Sequence, residues 1–248
     1  MKKLFMILCA LCFVLGGTQL ARATYIPEVE LNDTFATGQN LDSAFSLDLD
    51  ANIFWSTTYW HASVLATSAA YWDVDYYSFT VGQAGVTGFF DIDYGDDIGD
   101  WEFDTTMALF DSGHNVLAYS DDAIIDPGSA EALASSITYD SFIGVYTFEN
   151  PGTYYLAVSN WLNEPDDFGT ALGDLTRPDG VYGGDLYLGD SGPTFMTADS
   201  GYFDDPDDYV LHASLSDTPA PVPEPATMLL LGSGLAGLVG FRRKFRKR

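Results

Sequence analysis

Oxygen donors dominate the chemistry open to this chain. Asp and Glu number 36 against 10 Lys and Arg, for a formal net charge of −26. Lys2, Lys3 and Arg22 lie near the N-terminus and six more bases fall within the last seven positions, so Arg177 stands alone in the body. All the acidic residues lie between Glu28 and Glu224. A body of this kind repels nucleic acid and anionic lipid, and it attracts divalent cations. Calcium is the natural candidate, because it accepts six to eight oxygen ligands in irregular geometry. A solvating acidic surface is the alternative for the bulk of the Asp residues. Asp91, Asp93, Asp96, Asp97 and Asp100, and later Asp204, Asp205, Asp207 and Asp208, are the densest runs. Neither run has EF-hand spacing, so both read first as solvated loops, with a second calcium site as the other reading.

Nucleophilic chemistry finds little support. Cys9 and Cys12, the only cysteines, both lie in the leader, which leaves the body without a disulfide, a zinc thiolate site or a cysteine nucleophile. Ser191 stands in Gly189-Asp190-Ser191-Gly192, a setting that a serine nucleophile can use. Its partners are missing from the expected places: His61 lies in Tyr-Trp-His-Ala-Ser, and Asp208 and His212 have three residues between them where an esterase pair has two. Paired carboxylates could serve glycoside hydrolysis, yet nothing selects a pair. The chain therefore reads as non-enzymatic, with a secreted hydrolase as the distant alternative.

The elements that must position these groups are strands. Between Thr24 and Val222 the chain is rich in Tyr, Phe, Thr, Val, Gly and Asp, with no sustained helical periodicity. Tyr77, Phe79 and Val81 alternate with Tyr76, Ser78 and Thr80. Met107 and Leu109 are joined to Val116 and Leu117 through Asp111-Ser112-Gly113-His114, a turn composition that predicts a hairpin. Tyr154, Leu156 and Val158 share one face after the break at Asn150-Pro151-Gly152. Tyr209, Leu211, Ala213 and Leu215 form a last strand, with His212 expected to be exposed on its other face. The expected fold is all-β, a jelly-roll-like β-sandwich. Residues 163–208 read as long loops with two short strands. Trp55, Trp60, Trp72, Trp101 and Trp161 read as core, with a carbohydrate-stacking face as the alternative.

Four stretches together resemble the bacterial pre-peptidase C-terminal domain: Glu28-Val29-Glu30-Leu31-Asn32-Asp33-Thr34, Asp73 to Val81, Asp104 to Asp111, and Gly152 to Val158. The resemblance covers about 28–161, with a Gly/Asp-rich extension to about 215, inside a body of 24–221. It implies a non-enzymatic β-sandwich in which Ca²⁺ is held by Glu28, Glu30, Asn32 and Asp33, with Asp75 and Asp73 at the strand entrance. Carboxylate and amide oxygens suit that ion. The alternative is an ordinary solvated N-terminal linker. Two departures, the aromatic insertion between Leu49 and Tyr71 and the extension after Trp161, weaken any inference of collagen or peptide binding.

The two ends carry targeting signals. Lys2 and Lys3, the apolar run Leu4 to Leu15 and Ala21-Arg22-Ala23 make a secretory signal over 1–23, with cleavage by signal peptidase expected between Ala23 and Thr24. At the other end Pro223-Glu224-Pro225 precedes an apolar helix, Ala226 to Phe241, and a basic tail from Arg242 to Arg248. At 1.5 Å per residue such a helix reaches only about 24 Å, short for a membrane of about 30 Å, which suits a transient anchor. The basic tail keeps the C-terminus cytoplasmic. Gly232-Ser233-Gly234-Leu235-Ala236-Gly237 spells a dinucleotide fingerprint, but no βαβ unit can follow it.

Residues 222–248 are similar to the PEP-CTERM sorting signal. That similarity implies processing by an exosortase-like membrane protease of a Gram-negative bacterium, and transient anchoring in the inner membrane. Placement on the cell surface or in an extracellular matrix would follow, with exopolysaccharide or another surface glycan as the expected partner. A structural or adhesive role in biofilm or envelope follows as the expectation, with a carbohydrate-binding module as the alternative.

Overall fold

The computed structural model describes residues 25–50, 52–68, 73–93, 104–122, 140–161, 163–176, 178, 182–188, 195 and 207–217. The signal cleavage site at Ala23 and Thr24, Ser191, and the sorting motif Pro223, Glu224 and Pro225 with its helix all lie outside these residues. Among the described residues no helix is long and apolar enough to cross a membrane.

The described chain is all-β, as its alternating patterns predict. Its strands are β1 (Ile26–Pro27), β2 (Gln39–Asn40), β3 (Trp60–Ser68), β4 (Val74–Val81), β5 (Thr87–Asp93), β6 (Thr105–Phe110), β7 (Val116–Ser120), β8 (Phe142–Thr147), β9 (Gly152–Asn160), β10 (Thr170–Thr176), β11 (Tyr182–Leu188) and β12 (Asp207–Leu215). One sheet runs β1-β3-β12-β5-β8 and the other β10-β11-β7-β6-β9-β4-β2. Inward residues from both sheets build one core: Val64, Phe90, Ile92, Leu211 and Ala213 from the first, and Tyr77, Phe79, Met107, Leu109, Leu156 and Val158 from the second. Two sheets facing across a shared apolar layer make a β-sandwich.

The predicted β6–β7 hairpin forms, and its turn shows why Asp111 is there. The Asp111 carboxylate accepts from the backbone N–H of Gly113 at 2.7 Å and of Asn115 at 3.0 Å. His114 takes the left-handed conformation that closes the turn, φ 65°.

The extension after Trp161 does carry two strands, β10 and β11, and they join the seven-stranded sheet through β7. Its aromatic residues also cover that sheet's outer face. Phe168 packs edge-on to Tyr119 at 4.7 Å and Phe195 reaches Tyr76 at 6.0 Å, while Phe35 lies 4.4 Å from Tyr76. This is why the sheet can be apolar on both sides.

The aromatic insertion differs more from expectation. Its second half, Trp60–Ser68, is strand β3, paired along its full length with β12. Ala62, Val64 and Ala66 face the core, so the apolar stripe is made of small side chains. Trp60 packs against that core. On the opposite face, His61 and Ser63 are buried polar groups, as are His212 and Ser214 of β12 and Asp91 and Asp93 of β5. The expectations of an exposed His212 and of Asp91 and Asp93 in a solvated loop are therefore corrected. The strand register sets His212 opposite both Ser63 and Asp91, and its imidazole lies between Ser63 and Asp93 in this polar row.

Candidate functional site

The N-terminal segment crosses the end of the sandwich, and the acidic residues singled out from the sequence converge there. Glu28 is held at two places on the sheets. Its carboxylate accepts from the backbone N–H of Thr67 at 3.0 Å and from the Tyr77 hydroxyl at 2.6 Å. It also accepts from Asn32 Nδ2 at 2.9 Å. The segment is not a simple extended strand, because Leu31 adopts φ 72°. After that reversal, Asn32 is fully buried and its carbonyl oxygen accepts from the N–H of Tyr76 at 3.0 Å, next to Asp75. Glu30 and Asp33 remain exposed, and Asp73 is half-buried.

A chain of short oxygen contacts runs through the core from Glu28 to Asp75. Tyr77 Oη lies 2.6 Å from Glu28 Oε1 and 2.8 Å from Tyr209 Oη, and Tyr209 Oη lies 2.6 Å from Asp75 Oδ2. These three contacts each need a proton, and the two phenols supply only two. The third must sit on a carboxyl group. Asp75 is the carboxyl whose pKa is raised: burial first, then the charges of Glu28, Asp73 and Glu30, push it up to about 9. Burial chiefly raises both tyrosines well above their ordinary value as well.

Two buried acceptors in this cluster have no donor, Asn32 Oδ1 and Asp75 Oδ1. A buried acceptor left without a partner costs about 1–3 kcal/mol. Crowding Glu28, Glu30 and Asp73 around a buried carboxyl adds a repulsion that no Lys or Arg among the described residues relieves. Oxygen-only donors, converging negative charge and unsatisfied acceptors are the requirements of a hard cation such as Ca²⁺. Glu28 and Asn32 are hydrogen-bonded to each other, and Asp75 is joined to Glu28 through Tyr77 and Tyr209, with Asp73 and Glu30 contributing charge. Asp33 stays at the surface. The tyrosine chain was invisible to sequence reasoning, because Tyr77 and Tyr209 are 132 residues apart.

A second carboxylate group joins the ends of β6 and β7. Asp104, Asp121 and Asp122 can bring one oxygen each within 4.8 Å of one another. Burial first, then Asp122 and Glu164, push Asp121 up to about 6. The signal in the sequence was the Asp121-Asp122 doublet.

Sequence reasoning also missed a Ser–His–Asp arrangement on the outer face of the five-stranded sheet. Ser63 Oγ lies 2.8 Å from His212 Nδ1, and His212 Nε2 lies 3.0 Å from Asp93 Oδ2. The distances match a catalytic triad, but a nucleophile must meet its substrate, and Ser63 is only 3% exposed. As placed here the three residues satisfy one another inside the fold.

A comparison with curated proteins finds no match. Among solved structures, similarity extends to two periplasmic inhibitors of g-type lysozyme. The one from Aeromonas hydrophila is 13% identical, covers 62% of this chain and 85% of its own, and has a TM-score of 0.30. The one from Salmonella Typhimurium is 12% identical, covers 62% and 90%, and scores 0.29. The pre-peptidase C-terminal domain of a collagenase from Bacillus anthracis is 14% identical, covers 62% and 88%, and scores 0.28. Overlaps this small carry nothing about activity. The C-terminal segment is different, because residues 221–244 match the PEP-CTERM protein-sorting motif. That match contains Pro223-Glu224-Pro225 and the apolar stretch behind it. The chain thus carries the PEP-CTERM signal of an exported protein that is anchored transiently in a membrane and sorted by exosortase.

Proposed function

We propose that this chain is a non-catalytic surface or exopolysaccharide-matrix protein of a Gram-negative bacterium, whose sandwich is completed by calcium bound at Glu28, Asn32 and Asp75. The observation that carries the calcium reading is the pair of buried, donorless oxygens at Asn32 and Asp75, set among carboxylates that raise Asp75. Outside the cell calcium is abundant, and a site of moderate affinity fills there. Export therefore supplies the ion that the body needs, which couples the sorting tail to the chemistry of the fold. The role is structural or adhesive: a rigid acidic body held at the surface, stabilised where calcium is present.

Signal peptidase would release the body at Ala23, and an exosortase-like protease would act at the Pro223-Glu224-Pro225 tail. Mass spectrometry of the exported protein is expected to find Thr24 at its start and to lack the basic tail from Arg242 onward. An intact Arg248 on surface-exposed protein would rule out tail processing.

Binding of calcium is tested by isothermal titration with the full-length protein and its Asp75→Asn variant. Saturable binding by the parent that the variant loses supports the site. Equal heats from both would remove it.

A further inference from the structure

We propose that Trp55 is a stacking platform for a pyranose ring of a non-acidic glycan. The loop of 52–59 is anchored on every side of this residue. Ile53 is buried, and Phe54 packs against Phe89 at 6.2 Å and Phe142 at 6.3 Å. Ser56 is buried too, its hydroxyl donating to the carbonyl of Asp50 at 2.9 Å and accepting the Asp50 N–H at 3.1 Å. The Trp55 carbonyl accepts from the N–H groups of Thr58 at 2.7 Å and Tyr59 at 2.8 Å. Tyr59 in turn rests on Phe89 at 5.2 Å.

Among the aromatic residues of this loop Trp55 alone is exposed. It is 50% exposed, and its backbone takes φ 53°, a conformation that a bulky side chain rarely adopts. Strain of this kind persists where the surroundings impose it, and it gathers at binding sites. The indole is braced by Tyr59, with centroids 5.5 Å apart and planes at 32°, so the ring is presented on a rigid base. A half-exposed indole held on Tyr59 offers a flat apolar face at low entropic cost to a ligand.

Charge decides the class of ligand. The same loop carries Asp48, Asp50 and Asn52, with exposed Thr57 and Thr58, and the described residues hold no Lys or Arg. Acidic sugars, phosphates and nucleic acids are repelled by this surface. A sugar ring offers the complement: an axial C–H face for the indole and hydroxyls, or an ammonium group, for the carboxylate and hydroxyl rim. The inference takes from the export reading only the place where such a glycan would be met, and it is independent of calcium at Asp75.

Binding of full-length protein to immobilised oligosaccharides tests it, with a β-linked glucose oligomer, a glucosamine oligomer and a polyuronate as probes. The expected result is binding to the glucose or glucosamine probe and none to the polyuronate. Trp55→Ala should weaken that binding at least tenfold, the scale of one stacked ring, while Trp55→Tyr retains part of it and Trp60→Phe retains all of it. Melting curves of Trp55→Ala that match the parent's, with and without calcium, keep loss of binding distinct from loss of fold and from failure of the calcium reading. Absence of binding to both non-acidic probes, or binding that survives Trp55→Ala, overturns the proposal.

Discussion

Asp75→Asn is expected to stabilise the protein in EDTA and to abolish its response to calcium. In the cation-free fold the Asp75 carboxyl has a pKa of about 9, while the unfolded chain ionises it near 3.8. The native state therefore binds more protons than the unfolded state between those values, and stability falls as pH rises from about 4 to about 9. At neutral pH this penalty is on the order of 4 kcal/mol. An amide carries no charge to desolvate, so the variant should melt roughly 8–16 °C higher in EDTA at pH 7. Its melting temperature should also lose the parent's decline with pH. In calcium the order reverses, because the ion favours ionised Asp75 and the amide is the poorer ligand. Thermal unfolding of both proteins across pH 5–9, with calcium and with EDTA, checks all four expectations. A variant less stable than its parent in EDTA would show that Asp75 is not held at a cost.

His212→Leu should be among the most damaging single substitutions in the described chain. His212 Nε2 is 3.0 Å from Asp93, which is completely buried, and Asp93 Oδ1 has no other donor. Removing the imidazole leaves a buried carboxyl without a partner, an effect of about 3–5 kcal/mol. The corresponding fall in melting temperature is roughly 6–20 °C. Ser63→Ala deletes only the hydroxyl contact to Nδ1 and should cost about 1 kcal/mol. The double variant His212→Leu with Asp93→Leu should recover much of the loss, since an apolar pair replaces the polar one. Chemical denaturation of the four proteins tests this. A triad working on an accessible substrate would instead lose turnover in Ser63→Ala with little change in stability.

The sandwich was legible wherever a strand alternates large apolar residues with polar ones. Tyr77, Phe79 and Val81 of β4, Tyr154, Leu156 and Val158 of β9, and Tyr209, Leu211, Ala213 and Leu215 of β12 all face the core as their pattern predicts. Strand β3 escaped notice because its core face is Ala62, Val64 and Ala66 and its other face is partly buried as well, at His61 and Ser63. A strand covered on both sides loses the contrast on which period-two reading depends. His212 was misplaced for the same reason. Its partners Ser63 and Asp93 arrive from two other strands, and only the register brings them together.

The candidate cation site was legible in part. Resemblance, more than spacing, marked out Glu28 and Asn32, which are hydrogen-bonded, and Asp75, which Tyr77 and Tyr209 link to Glu28. It also marked Asp33, which stays at the surface. The reversal at Leu31 decides which side chains turn inward, and a left-handed leucine cannot be anticipated from residue type. The link between Glu28 and Asp75 passes through two tyrosines that sequence alone reads as ordinary core, because an aromatic ring looks the same whether or not its hydroxyl is in use.

Thermal unfolding of the wild-type protein in calcium, in magnesium and in EDTA bears most directly on the calcium-completed sandwich. A ligand held only by the native state must raise its stability, by about 2.7 kcal/mol when present at a hundred times its dissociation constant. The melting temperature should therefore climb by several degrees in millimolar calcium, change less in magnesium, and return on addition of EDTA. Three coincident melting curves would mean that the oxygens of Glu28, Asn32 and Asp75 hold no calcium.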